Sequence, residues 1–111
     1  MAAGPRGTLA SLPDRELVLA FQSGEDGAFD QLYQRHRARV TGICRRMLGN
    51  VNDAEEAAQE TFLRAFEAMH RFNGRFQVGP WLARIATNVC IDHLRARSRL
   101  ISSRFPPTAP S

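Results

Sequence analysis

Phe72, Phe76 and Trp81 are interleaved with Arg71, Arg75 and Arg84 in one short stretch of the chain. Rings and guanidinium groups in that mixture suit a single-stranded nucleic acid. Bases stack on the rings, each contributing roughly 1–3 kcal/mol, while arginines hold the phosphates. Asn73 and Asn88 add side-chain amides able to read a base edge. Phe72 and Trp81 also fall at positions that a hydrophobic core would fill, and for those two the core is the plainer reading. Phe76 sits in the middle of a loop and is harder to account for in that way.

Other chemistry finds less support. Asp53, Glu56 and Glu60 share one helical face and could hold Mg²⁺, but no second helix supplies the acids to complete a site. Cys90 and His93 are three residues apart, whereas a zinc site takes four ligands. There is no Ser-His-Asp or Cys-His context and no phosphate-cradling glycine loop. The expectation is a binding protein with no metal and no catalytic residue.

Charge is divided along the chain. From Asn52 to Glu67 five acids stand against Arg64 alone, and from Arg71 to Arg104 seven arginines stand against Asp92. A surface with no task mixes its signs. Two adjacent blocks of opposite sign therefore suggest two partners, one of them nucleic acid, although either block alone could be an ordinary solvated face. The whole chain has 111 residues, a net charge of +4 and a pI near 10.4, and every one of its 15 basic residues is arginine. A GC-rich genome explains the arginine bias. The basicity still favours a polyanionic partner. The length allows one domain with a modest core. Cys44 and Cys90 both lie in apolar periodic stretches, too few for a disulfide framework, and are expected as buried free thiols. No apolar run approaches the ~18 residues of a membrane span, and the N-terminus lacks the core of a signal peptide. A soluble, cytoplasmic protein is expected.

Four helices must position these residues. Residues 1–10 are small and Gly/Pro-containing and are expected to be disordered. Ser11 is expected to cap a short helix carrying Leu17, Val18 and Phe21 and stopped at Ser23-Gly24. A second helix, from near Asp26 to Gly49, carries an apolar stripe of Phe29, Leu32, Tyr33, His36, Val40, Ile43, Cys44 and Met47. Asn52 with Glu55 reads as a capping box opening a third helix that ends near Phe72. Its inner stripe runs Ala54, Ala57, Ala58, Thr61, Phe62, Ala65, Phe66 and Met69, and its acids lie outside. A fourth helix starts on Pro80-Trp81, where proline suits the first turn. It faces Trp81, Leu82, Ile85, Ala86, Val89, Cys90 and Leu94 inward, with Arg84, Thr87, Asn88, Ile91 and Arg95 on the other side. Residues 98–111 read as a linker. The fold class is an all-α bundle of one short and three longer helices spanning residues 11–97.

The strings NDAEEAAQETFLRAFEAMHRFNGRF and PWLARIATNVCIDHLRAR, at this separation, resemble region two of the extracytoplasmic-function sigma factors, small alternative sigma subunits of bacterial RNA polymerase. The earlier DRELVLAFQSGEDGAFDQLYQRHRARV resembles the start of the same region, and together the match spans about residues 12–99. The resemblance implies that the acidic helix docks on the clamp helices of the polymerase β′ subunit through Asp53, Glu56, Gln59, Glu60, Thr61 and Arg64. It implies that a flipped-out base of the promoter −10 element is taken by Asn73, Gly74, Arg75, Phe76, Gln77 and Val78. The melted strand is then supported by Trp81, Arg84, Asn88, Ile91, Asp92 and Arg95. It also implies an anti-sigma protein as a partner, and neither an enzymatic activity nor a cofactor. Two departures stand out. Val78-Gly79-Pro80 occupies the place where the family usually has a small polar residue and often an aromatic. Nothing in the chain encodes the helix-turn-helix domain the family carries, and FPPTAPS reads as the start of the linker towards it.

Overall fold

The computed structural model describes residues 8–74 and 77–104, with side chains through residue 101. Four α-helices are present, α1 (Asp14–Gln22), α2 (Ala28–Leu48), α3 (Val51–Met69) and α4 (Val78–Arg104), preceded by a short 3-10 turn at Leu9–Ser11. There is no strand among the described residues. The all-α expectation is met.

The core is a three-helix arrangement with α1 laid on α2. Helices α2, α3 and α4 each pack on the other two. Small residues make this close approach possible: Ala54, Ala57 and Ala65 of α3 and Ala86 of α4 are fully buried. Larger side chains fill the remaining space, with Leu17, Leu32, Val40, Met69, Leu82 and Val89 all at or below 2% exposure. Truncating one of these leucines to alanine would cost about 2–5 kcal/mol, a large share of a small domain's stability. The two thiols are where the periodicity put them. Cys44 and Cys90 are free and buried. Burial first, then the neighbouring Cys90 thiol, pushes Cys44 up to about 12, and burial likewise raises Cys90.

Several boundaries differ from expectation, each for a local reason. Ser11 does not cap α1: its hydroxyl donates to the Thr8 carbonyl, and Pro13 stands at the cap position without a side-chain bond. The helix expected from Asp26 begins at Ala28 after Gly27. The cap is displaced by two residues, because Asn50 rather than Asn52 is extended, and its side-chain oxygen accepts from Asp53 N–H at 3.0 Å. Only Gly49 and Asn50 separate α2 from α3, so the chain re-enters a helix at the first capable residue. At its far end α3 stops at Met69, and the turn to Phe72 tightens into bonds from Arg71 N–H to Ala68 and Phe72 N–H to Met69. Helix α4 starts two residues before Pro80 and runs on through Arg104, so residues 98–104 are helical rather than linker. The remaining linker residues 105–111, and most of the N-terminal segment expected to be disordered, lie outside the described residues. Among those described, no helix is long and apolar enough to cross a membrane.

Two stripe assignments also change. Phe66, expected inside, is 45% exposed, and Tyr33 is 38% exposed. Both belong to an aromatic seam where α1, α2 and α3 meet. Phe66 packs edge-on against Phe21 and Phe29 at 5.2 and 5.1 Å, and Tyr33 against Phe62 at 4.8 Å. Each keeps one side open to solvent.

Candidate functional site

Residues 72–74 and 77–80 form one wall of a cleft of about 830 Å³. Its rim on this side carries Asn73, Gly74 and Gln77, all exposed. The opposite wall comes from α1, through Asp14, Arg15, Val18 and Gln22, and from α2, through His36 and Arg39. The two ends of the loop are tied together, because the Phe72 ring packs on Trp81 with centroids 4.9 Å apart. Gly74 has φ +78, a left-handed conformation that side chains rarely adopt, and so supplies the turn. Gly79 matters for a different reason. A Cβ there would lie 2.8 Å from Arg39 Nη1, so the bare backbone lets the guanidinium cover the first turn of α4.

The wall opposite the loop is held by hydrogen bonds to Asp14. Asp14 at the start of α1 receives Arg35 Nη1 at 3.0 Å and His36 Nε2 at 2.8 Å, and Arg35 also donates to the Ala10 carbonyl at 2.8 Å. His36, held by this contact, and Arg39 both lie beside the start of α4.

Of the residues expected at the base site, Asn73, Gly74 and Gln77 are brought together in the cleft. Arg75 and Phe76 lie outside the described residues. Val78 is a correction: it borders the cleft but is 4% exposed and packs mainly in the core, so little of its side chain is open to a ligand. Trp81 is half-buried against Phe72, as the core reading required. Farther along α4, Arg84, Asn88 and Arg95 are exposed on one face, Ile91 is half-buried beside them, and Asp92 is exposed.

Helix α3 brings a larger correction. Thr61 is fully buried and its hydroxyl donates to the Ala57 carbonyl at 2.8 Å, which removes it from any surface. The acids and the arginines are not independent faces either. Arg97 of α4 bonds Asp53 at 2.9 Å, Arg64 of α3 bonds Asp92 at 3.1 Å, and His93 Nε2 lies 3.2 Å from Glu60 Oε1. Arg64 also holds Glu60 at 2.7 Å. The Arg64 hydrogen bond, then that of His93, keeps the Glu60 carboxyl below its ordinary value. Part of the opposite charge on the two helices therefore serves to clasp them. Glu55, Glu56, Gln59 and Glu67 remain exposed on α3, alongside Leu63 at 67% exposure. With Phe66, Leu63 gives this acidic surface an apolar centre.

Arg15, Gln22, His36, Arg39 and Leu63 are not expected at the site from the sequence, where His36 falls only in the apolar stripe of the second helix. The first four join the loop only through tertiary packing. Leu63 breaks the pattern of a helix face that is otherwise polar, a signal visible in principle.

Among the described residues no cluster of three or more metal-ligating side chains occurs.

Comparison with known proteins gives a consistent picture. The sigma-70 region 2 family model matches residues 32–100. The ECF RNA polymerase sigma factor SigW of Bacillus subtilis (strain 168) is 38% identical over 83 residues, covering 75% of this chain and 44% of SigW. ECF RNA polymerase sigma factor SigG of Mycobacterium tuberculosis (strain ATCC 25618 / H37Rv) is 40% identical over 88 residues, covering 74% of this chain and 24% of SigG. The chain thus spans less than half the length of these relatives. A solved NMR structure, an engineered region 2 of sigmaE in complex with GTAAAA, superposes with a TM-score of 0.75 at 30% identity. That likeness covers 86% of this chain and 96% of the solved one.

Proposed function

Because the chain belongs to the sigma-70 region 2 family, with extracytoplasmic-function sigma factors among its relatives, we propose that it directs transcription initiation by docking on RNA polymerase core and taking the non-template strand of a −10 element. The observation that carries this reading is the cleft. Asn73, Gly74 and Gln77 present polar groups at its rim, and Arg15, Arg39 and His36 line the same space. A base that leaves its stack costs a few kcal/mol, which a pocket must offset by contacts to its edge and face. The strand then continues along Arg84, Asn88 and Arg95 of α4, where guanidinium groups meet phosphates. Arg75 and Phe76 enter the proposal through their place in the loop alone.

The second partner is the clamp of the polymerase β′ subunit, received on α3. Leu63 and Phe66 form an apolar centre, and Glu55, Glu56, Gln59 and Glu67 surround it, the composition of a protein-binding patch whose partner is basic at the rim. Asp53, Glu60 and Arg64 take part only by relaxing their contacts with α4. Action on polymerase places the protein in the bacterial cytoplasm. An anti-sigma protein would occupy these same two surfaces. The deciding experiment is promoter opening by polymerase reconstituted with the parent sigma factor. Asn73→Ala and Phe76→Ala should each abolish opening while leaving core binding intact, and opening at wild-type rates in both would sink the base-pocket reading.

A further inference from the structure

We infer that Gln22, at the end of α1, is a positioning residue for strand discrimination: through its bonds to Met69 and Phe72 it sets the entry of the base-site loop at Asn73. This rests on the reading of the loop as the base site.

Gln22 is fifty residues from the loop, yet its side-chain nitrogen donates to Met69 O at 2.9 Å and to Phe72 O at 2.8 Å. Both partners are carbonyl oxygens, which only accept. The group facing them must therefore be the amide NH₂, and both of its hydrogens are used. Met69 is the last residue of α3, where helix carbonyls run out of intrahelical N–H donors, and its oxygen accepts from Gln22 in addition to Phe72 N–H. Phe72 is the last residue before the loop. One side chain thus fixes the end of the supporting helix and the start of the loop in a single geometry. Phe72 is held from two directions, its carbonyl by Gln22 and its ring by Trp81. Asn73, the next residue, projects from a backbone whose preceding peptide is pinned. Discrimination between bases needs hydrogen-bonding groups placed to a fraction of an ångström, and such placement comes from supporting bonds of this kind.

A purely structural cap would stabilise the fold and leave base choice alone. The test separates these roles. The 111-residue chain is used to select strands from a single-stranded pool randomised over a hexamer. Affinities are then measured for the selected strand and for the unselected pool at one salt concentration. Gln22→Met keeps length and neutrality but removes both donors. Its selected-to-pool affinity ratio should fall about tenfold, the worth of roughly one net hydrogen bond, with pool affinity unchanged. Gln22→Lys restores donors to the two carbonyls and should recover the ratio, although its charge raises affinity for both strands. The comparison is made well below the melting temperature of each variant. A Gln22→Met ratio equal to wild type, in a chain that does discriminate, overturns the assignment and leaves the loop reading standing. A ratio lost in Gln22→Met and not restored by Gln22→Lys also overturns it. A wild-type chain that selects no strand ends both.

Discussion

Gly79→Ala puts the contact between α2 and the start of α4 to a quantitative test. The added methyl would sit 2.8 Å from Arg39 Nη1 and 3.7 Å from His36 Cε1. Ordinary contact begins near 3.4 Å, so the guanidinium must retreat by about 0.6 Å, while His36 need not move. Arg39 is exposed and its head ends a long, rotatable stem, so the retreat is inexpensive. Gly79 has no positive φ and lies within α4, where alanine is favoured over glycine by roughly 0.5–1 kcal/mol. The balance is a gain of about 0.5 kcal/mol, or roughly 2–4 °C in melting temperature for a domain of this size. Strand binding should move the other way, because Arg39 is displaced from the cleft. A surface charge contact of up to about 1 kcal/mol corresponds to about a fivefold loss of affinity. Circular dichroism melts and fluorescence anisotropy with a labelled single strand read the two effects. In an Arg39→Ala background the affinity loss from Gly79→Ala should vanish, since the displaced group is gone. A melting temperature that falls, or an affinity loss that adds in full to that of Arg39→Ala, would refute the argument.

Charge reversal should separate the two classes of acid on α3. Glu56→Arg is expected to change stability by no more than about 0.5 kcal/mol and to weaken capture of β′. Asp53→Arg faces Arg97 and should destabilise by about 1 kcal/mol before any partner is present; equal urea midpoints for the two variants would count against the α3–α4 clasp. Stability should also decline at both ends of the pH scale. Arg64 and His93 hold Glu60 below its ordinary value of 4.5, so on acidification the unfolded chain takes up its proton first. That contribution is complete above the ordinary value and disappears as pH falls through the lower folded one, and Glu60→Gln should flatten this limb of a urea-midpoint profile. At the alkaline end an unfolded Cys44 thiol ionises near 9.0 while the buried one holds its proton to about 12, so stability drops as pH rises between them.

The helices were legible because their apolar residues recur at steps of three and four, and α3 and α4 emerged with nearly their full inner stripes. Ends were less legible. Asn50 and Asn52 are chemically equal as caps, and only the length of chain left after α2 decides between them. Arg99 and Ser98 gave no reason to continue α4, yet no proline or glycine stopped it before residue 104. Val78 and Thr61 illustrate a second limit. Resemblance grouped them with surface residues by neighbourhood in sequence, whereas rotation about a helix axis takes them into the core. The division into an acidic and a basic block was correct as composition. Their mutual pairing through Arg97, His93 and Arg64 is a property of helix packing, which spacing along one chain does not reveal. The same holds for Gln22 and Arg39, which reach the loop across tertiary contacts.

Cys44 and Cys90 give the molecule an internal clock. Both sulfurs are enclosed where α2, α3 and α4 meet, and burial disfavours the thiolate that alkylating reagents require. Modification therefore waits for the bundle to open, and the labelling rate at saturating reagent counts opening events. Since no other cysteine occurs in the chain, mass spectrometry would register zero, one or two adducts per molecule without any engineered probe. Slower labelling in the presence of a polymerase fragment or a DNA strand would measure, from inside the core, how firmly each partner holds the helices together.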